Sequence, residues 1–288
     1  MNDWEKLYTQ AESLLSRLEG LVSGEKPETD WNAAVAFRWR KHGRIQGLIQ
    51  PVPHPHHISL ESLRGIDAQK RLVDQNTRQF VTGHPANNVL LTGARGTGKS
   101  SVVKAMLTKY ASTGLRLIEV EKHDLIDLHD IVDQVCERPE RFIIYCDDLS
   151  FESGEPGYKA LKVVLDGSIA TSSDNVLVYA TSNRRHLMPE FMQENRDTRH
   201  VGNEIHPSEA VEEKIALSER FGLWVSFYPF DQDQYLEAVA QWLRYFQSAE
   251  LTPEVRQQAL QWALGRASRS GRVAWQFARD RAGKDGAA

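Results

Sequence analysis

The stretch "GARGTGKSS", Gly93–Ser101, holds the residue types that grip phosphate. Gly93 and Gly98 bracket four residues, and Lys99 and Ser100 follow at once. Glycines let successive backbone N–H groups curl around phosphate oxygens. Ala94, Arg95, Gly96 and Thr97 complete that loop, and Ser101 continues it into the next element. A helix beginning at Lys99 points its positive end at the same oxygens. Lys99 brings a point charge to the β and γ oxygens, and Ser100 a hydroxyl ligand for Mg²⁺. The motif requires a strand before it and a helix after it. "NNVLLTG" (87–93) and "KSSVVKAMLTKYAS" (99–112) meet that requirement. The chemistry expected here is nucleotide binding.

A second stretch, "RFIIYCDDLSF" (141–151), runs apolar residues into two aspartates. Burying an acid without a cation is costly. A phosphate loop of this type needs an acid at the end of a neighbouring strand to hold Mg²⁺. Asp147 fits that place; capping of the following loop is the bland alternative.

The elements that must position these residues alternate. Helical patterns cover 65–83, 99–112, 125–138 and 157–169. Strand patterns cover 87–93, 115–121, 142–148, 175–183 and 222–229. Strands separated by helices predict an α/β fold, a five-stranded parallel sheet covered on both faces. After Pro229 come three helical patterns, read as an all-helical lid over 231–288. Ahead of the α/β domain (61–230) lies an N-terminal segment, 1–60. It is read as a helix over 4–22, a second helix in "WNAAVAFRWRKHGR", and the proline-broken linker "QPVPHPHHIS". Residues 184–220 are long for a plain connection.

The 288-residue chain has a formal net charge of −4, so no global charge favours nucleic acid. Its ends are locally basic. Trp31–Leu60 contains no acids and four Lys/Arg, and 251–288 holds seven Lys/Arg against three acids. "FRWRKHGR" mixes aromatics with cations as single-strand binders do, although helix packing by Phe37 and Trp39, with the cations facing water, is the preferred reading. His54, His56 and His57 lack a Cys or acid at ligand spacing and read as solvated linker. Lys70 and Arg71 read as solvated too. Two cysteines, Cys136 and Cys146, make no disulfide framework. No secretory leader and no membrane-length apolar run is visible, so a cytoplasmic protein without a membrane partner is expected.

Further features fall in an order that resembles the AAA+ ATPases, from residue 61 to the end. Asp148 directly follows the metal acid. Asn183 closes "YATSN", Arg220 sits in "LSERFGLW" before the fifth strand, and Arg272 in "SGRVAW" opens the last helix. The resemblance implies ATP and Mg²⁺ as ligands. It implies that Asp148 polarises the attacking water, or else serves only the metal site. Asn183 takes the sensor position, with Thr181 as its substitute. Arg220 reaches a neighbouring subunit's ATP; a salt bridge to Glu219 or Glu213 is the alternative. Arg272 acts from the lid, with Arg266 and Arg269 as competitors, and Ile66 contacts the base.

A narrower resemblance rests on "GIDAQK", "PANNVLLTGARGTGKSS", "CDDLSF", "ATSNRRHLMPE" and "SERFGLWVSFYPFDQDQYL". It is to an uncharacterised bacterial family of AAA+ ATPases. The Asp-Asp pair is also similar to that of the bacterial replication initiator. Two functions stay open. One is an ATPase, oligomeric with ATP, that remodels or loads a protein or nucleoprotein client. The other is an ATP-gated switch or adaptor with little hydrolysis.

Overall fold

The computed structural model describes residues 29–42, 46–151, 155–166, 174–184, 199–201, 204–206, 217–248 and 250–285. The helix expected over 4–22 lies outside these residues.

The chain begins with β1 (Ala36–His42) and β2 (Gln46–Pro51). The α/β alternation follows as α1 (Asp67–Val81), β3 (Val89–Gly93), α2 (Lys99–Tyr110), β4 (Leu115–Glu119), α3 (Leu128–Val135), β5 (Arg141–Cys146), α4 (Pro156–Asp166) and β6 (Val176–Ser182). A short hairpin, β7 (Arg199–Val201) with β8 (Glu204–His206), falls within the long 184–220 connection. Then come β9 (Leu223–Phe227) and the lid helices α5 (Gln232–Tyr245), α6 (Pro253–Gly265) and α7 (Gly271–Asp285).

The main sheet has seven strands in the order β2-β1-β4-β5-β6-β3-β9. Every pairing is parallel except β1 with β2. The five expected strands are all present, and two more extend one edge. Each central strand is apolar on both faces because helices cover both. Along β5, Ile143 and Tyr145 face the core shared with α1, α2 and the lid, while Phe142, Ile144 and Cys146 face α3 and α4.

The added edge corrects the sequence reading. "AFRWRKH" is a strand, not a helix. Its period is two: Phe37 and Trp39 are buried on one face, and Arg38 and Arg40 point to the other. Arg38 pairs with Glu119 at 2.6 Å, Arg40 with Glu121 at 3.1 Å and Lys41 with Asp127 at 2.9 Å. The Trp39 indole donates to Asp127 at 3.1 Å. Arg38, Arg40 and Lys41, expected to face water or a single strand, instead pair with acids from β4 and the turn after it, and Arg44 lies outside the described residues. Lys70 is another correction: its ammonium donates to the Leu63 carbonyl at 2.7 Å and pairs with Asp67 at 2.7 Å. It pins the segment that leads into Ile66. His54, His56 and His57 lie in irregular chain, as expected.

The β1–β2 hairpin depends on the absence of one methyl group. A Cβ at Gly47 would lie 1.7 Å from the Trp39 ring. Overpacking of this kind costs about 1–3 kcal/mol. Gly47→Ala is therefore expected to lower the unfolding free energy by that much, seen as a lower urea midpoint with an unchanged slope. Arg40→Ala, which removes a half-exposed pair, should cost less than about 1 kcal/mol.

Candidate functional site

The parallel register brings the chemistry to one edge. β3, β5 and β6 all end on the same side, so the 93–99 loop, Asp147–Asp148 and Thr181–Asn183 meet there. Cys146 pairs with Ala180, which sets Asp147 beside Thr181 one step further on.

Gly96 and Gly98 both have positive φ, at 77° and 104°, which favours glycine. The loop wraps the Lys99 side chain. Its ammonium donates to the carbonyls of Gly93 at 2.7 Å and Ala94 at 2.8 Å, and to Asn183 Oδ1 at 2.9 Å. Lys99 is only 6% exposed. Burial pushes its pKa down to about 8, against the pull of Asp147 and Asp148, while Arg272 and Arg95 add to the fall. The Thr97 hydroxyl closes the loop on the Ala94 carbonyl at 2.8 Å. Ser101 follows Ser100 in the first turn of α2.

Asp147 Oδ1 accepts from the Ser100 hydroxyl at 2.7 Å and from the Thr181 hydroxyl at 2.5 Å. Burial raises the pKa of this carboxyl. The hydroxyls of Thr181, Tyr145 and Ser100, with Lys104 further off, outweigh burial and hold it below the usual carboxylate range. Thr181 also accepts from the Asp148 backbone N–H at 2.9 Å. Asp148 itself sits at φ 53°, an uncommon conformation for a residue with a side chain. Its carboxylate accepts from Asn183 Nδ2 and lies 3.6 Å from the Arg95 guanidinium.

The lid reaches the same loop. The Arg272 backbone N–H donates to the Gly96 carbonyl at 3.2 Å. A Cβ on Gly96 would meet Ser270 Oγ at 2.9 Å and Arg272 Cβ at 3.0 Å. On the other side, Ile66 is buried, and its Cδ1 lies 3.0 Å from where a Cβ on Gly98 would stand. Lys99, Ser100, Asp147, Asp148, Asn183, Arg95, Arg272 and Ile66 are thus brought together.

A model of the family described as "Protein of unknown function (DUF815)" matches residues 32–285. The chain belongs to this family. The solved FIGL-1 AAA domain in complex with ADP is similar, at TM-score 0.52 and 18% identity, covering 79% of this chain and 73% of that one. The Aeropyrum pernix ORC1 protein in complex with DNA is similar at TM-score 0.53 and 16% identity, covering 74% of this chain and 58% of that one. The fold of this DUF815 chain is therefore that of AAA+ proteins. None of the curated proteins compared matches it.

Arg220 does not join the cluster. It precedes β9, which runs parallel to β3 with Leu223 opposite Val89 and Phe227 opposite Gly93. Arg220 therefore lies near the edge where the strands begin, and the phosphate loop lies where they end. Its Nε donates to Asp166 at 2.5 Å, at the end of α4. The partner seen is thus from another helix, and Glu213 lies outside the described residues.

Sequence reasoning undervalued Thr181 and missed Ser270. Thr181 was named as a stand-in for Asn183, yet it bridges Asp147 to the Asp148 backbone. Strand alternation carries that signal once the β5–β6 register is known. Ser270 has no sequence signal beyond its place just before Gly271 and Arg272.

The donor set suits a hard divalent cation held with phosphates. One carboxylate and one hydroxyl leave room for phosphate and water oxygens, as Mg²⁺ prefers. Among the described residues no cluster of three or more His, Cys, Asp or Glu is present.

Thr181→Val removes the donor to Asp147 and orphans the Asp148 N–H. It is expected to lower stability at pH 7 by about 1–3 kcal/mol, read from urea unfolding. Thr181→Ser, which keeps the hydroxyl, should recover most of it. Asp147 has a depressed pKa, so its contribution is present above its unfolded-state pKa and is lost as pH falls through the folded one. The gap between Thr181→Val and the parent should therefore narrow in acid.

Proposed function

We propose that this protein binds ATP with Mg²⁺ and hydrolyses it at a subunit interface, and that turnover drives remodelling or loading of a protein or nucleoprotein client. The single observation that carries the reading is the meeting of Lys99, Ser100, Asp147, Asp148 and Asn183 around one glycine loop. Mg²⁺ bound by Ser100 and Asp147 would neutralise the β and γ oxygens. The backbone N–H groups of Gly93–Ser101 and the start of α2 cradle the phosphates. Lys99 exchanges two loop carbonyls for phosphate oxygens. Asp148, held by Asn183, accepts the proton of the attacking water, directly or through a second water. Arg272 approaches from the lid, and Ile66 lines the base side.

Arg220 faces away from its own loop, so its target is the ATP of a second copy. A finger supplied in trans is worth about 10³–10⁵ in rate in GTPases. Arg220→Ala is expected to reduce turnover by about that much while ATP affinity stays nearly intact. Equal loss of both, or a particle mass that does not rise with a slowly hydrolysed ATP analogue, would count against the trans site.

One observation favours the alternative of an ATP-gated switch. Asp148 is already engaged by Asn183 and Arg95, and its shorter side chain has less reach than glutamate. Turnover that stays near zero at high protein concentration would decide for the switch.

Lys99 gives a pH test of the phosphate site itself. Its pKa in the free site is about 8. Phosphate charge raises it, so binding takes up a proton above that pH. ATP affinity should be flat below about pH 8 and fall above it, by up to about tenfold per pH unit. Calorimetry at pH 8.5 in buffers of different ionisation enthalpy should show proton uptake. Release, or no exchange, would remove Lys99 from the phosphate contacts.

A further inference from the structure

β5 delivers a second polar group to the metal side of the site. Tyr145 lies two residues before Asp147, on the same face toward α2. Its side chain is 1% exposed. The phenol oxygen is buried and close enough to the Asp147 carboxylate to lower its pKa, yet it meets no partner in well-aligned hydrogen-bond geometry. It stands beside Ser100, Asp147 and Thr181, whose mutual bonds leave it aside.

Phenylalanine would fill the same space without that oxygen. A buried hydroxyl without a well-aligned partner is destabilising, so the group is incompletely used in this state. The acceptor it needs is adjacent. A carboxylate offers about four lone-pair sites, and the bonds from Ser100 and Thr181 both fall on Oδ1 of Asp147.

We propose that Tyr145 is a positioning residue of the metal site: its hydroxyl donates to the Asp147 carboxylate in the Mg²⁺–nucleotide state and fixes the rotation that turns one carboxylate oxygen to the cation. This rests on the Mg²⁺–ATP reading above. No covalent step is involved, and the proton stays on the phenol. Partners of this kind are worth about 10–100-fold in metal affinity where they have been removed.

The test uses the full chain and a fluorescent ATP analogue at fixed concentration, titrated with MgCl₂. Tyr145→Phe is expected to raise the Mg²⁺ midpoint by about tenfold. Its Mg²⁺-free nucleotide affinity should be unchanged, and its urea midpoint equal or higher. In an Asp147→Asn background, Tyr145→Phe should add nothing further, because the hydroxyl acts through that carboxylate. A Mg²⁺ midpoint within about twofold of the parent, with higher stability, would sink the proposal and leave the hydroxyl an unused donor. Effects that simply add in the double variant would also overturn it. If the parent binds the analogue with no Mg²⁺ dependence, the metal reading itself fails, and that result is distinct from a parent with a normal titration and an indifferent Tyr145→Phe. Should Tyr145→Phe not fold, Tyr145→Leu introduced into the parent and into Asp147→Asn completes the same four-member cycle.

Discussion

The buried ammonium of Lys99 organises this molecule. A charge taken out of water must be met by dipoles or counter-charges, or it will shed its proton. Here two carbonyls of the glycine loop and the amide oxygen of Asn183 meet it. These are neutral acceptors, and burial holds the ammonium at a pKa of about 8 although Asp147 and Asp148 pull the other way. An anion placed beside it would restore the charge, as the proposed phosphate would. The same requirement fixes the sheet: β3 and β6 must be neighbours in register for Gly93 and Asn183 to reach one nitrogen.

Around that centre the lid and the base-side segment are joined by backbone contacts. Gly96 is touched by Ser270 and Arg272, and Phe230 donates to the Arg269 carbonyl at 3.2 Å. Asp231 and Gln234 form a reciprocal cap at the start of α5. Gln234 also lies against Gly65, next to Ile66. The loop is thus packed against the C-terminal helices at Gly96 and against Ile66 at Gly98.

The core of this architecture was legible because fully buried strands announce themselves as apolar runs, and because the glycine loop has fixed spacing. β1 was not. Its Phe37 and Trp39 have the spacing of a strand, but the Ala-, Lys- and Arg-rich run around them favours helix, and the acids that neutralise its cations, Glu119 and Glu121, are 81 residues away. Only the folded sheet reveals that pairing. Asp147 and Asn183 were legible from position at strand ends. The bridging work of Thr181 and the orphaned phenol of Tyr145 depend on register between strands, which one sequence does not state. Arg220 was found, but its partner Asp166 belongs to a helix that no local pattern links to it.

The Asp148 carboxylate carries the last question of mechanism. Its backbone adopts φ 53°, and the Asp148 N–H is tied to Thr181. Strained backbone persists only where its surroundings over-determine it. The bond to Thr181, the Asn183 contact and Leu149 N–H donating to the Thr181 carbonyl at 2.6 Å supply that determination. The strand end is consequently rigid, and the shorter aspartate cannot be moved forward cheaply by bending β5. Any gain in reach has to come from the partners that hold the side chain. Asn183 is shared with Lys99, so an anion that draws Lys99 off the amide oxygen also frees the group that binds Asp148. Arg95 sits on the loop that the same anion would enter. On the proposed reading, phosphate arrival and release of Asp148 would be coupled through these two residues, the arrangement required of a base restrained until its substrate is present.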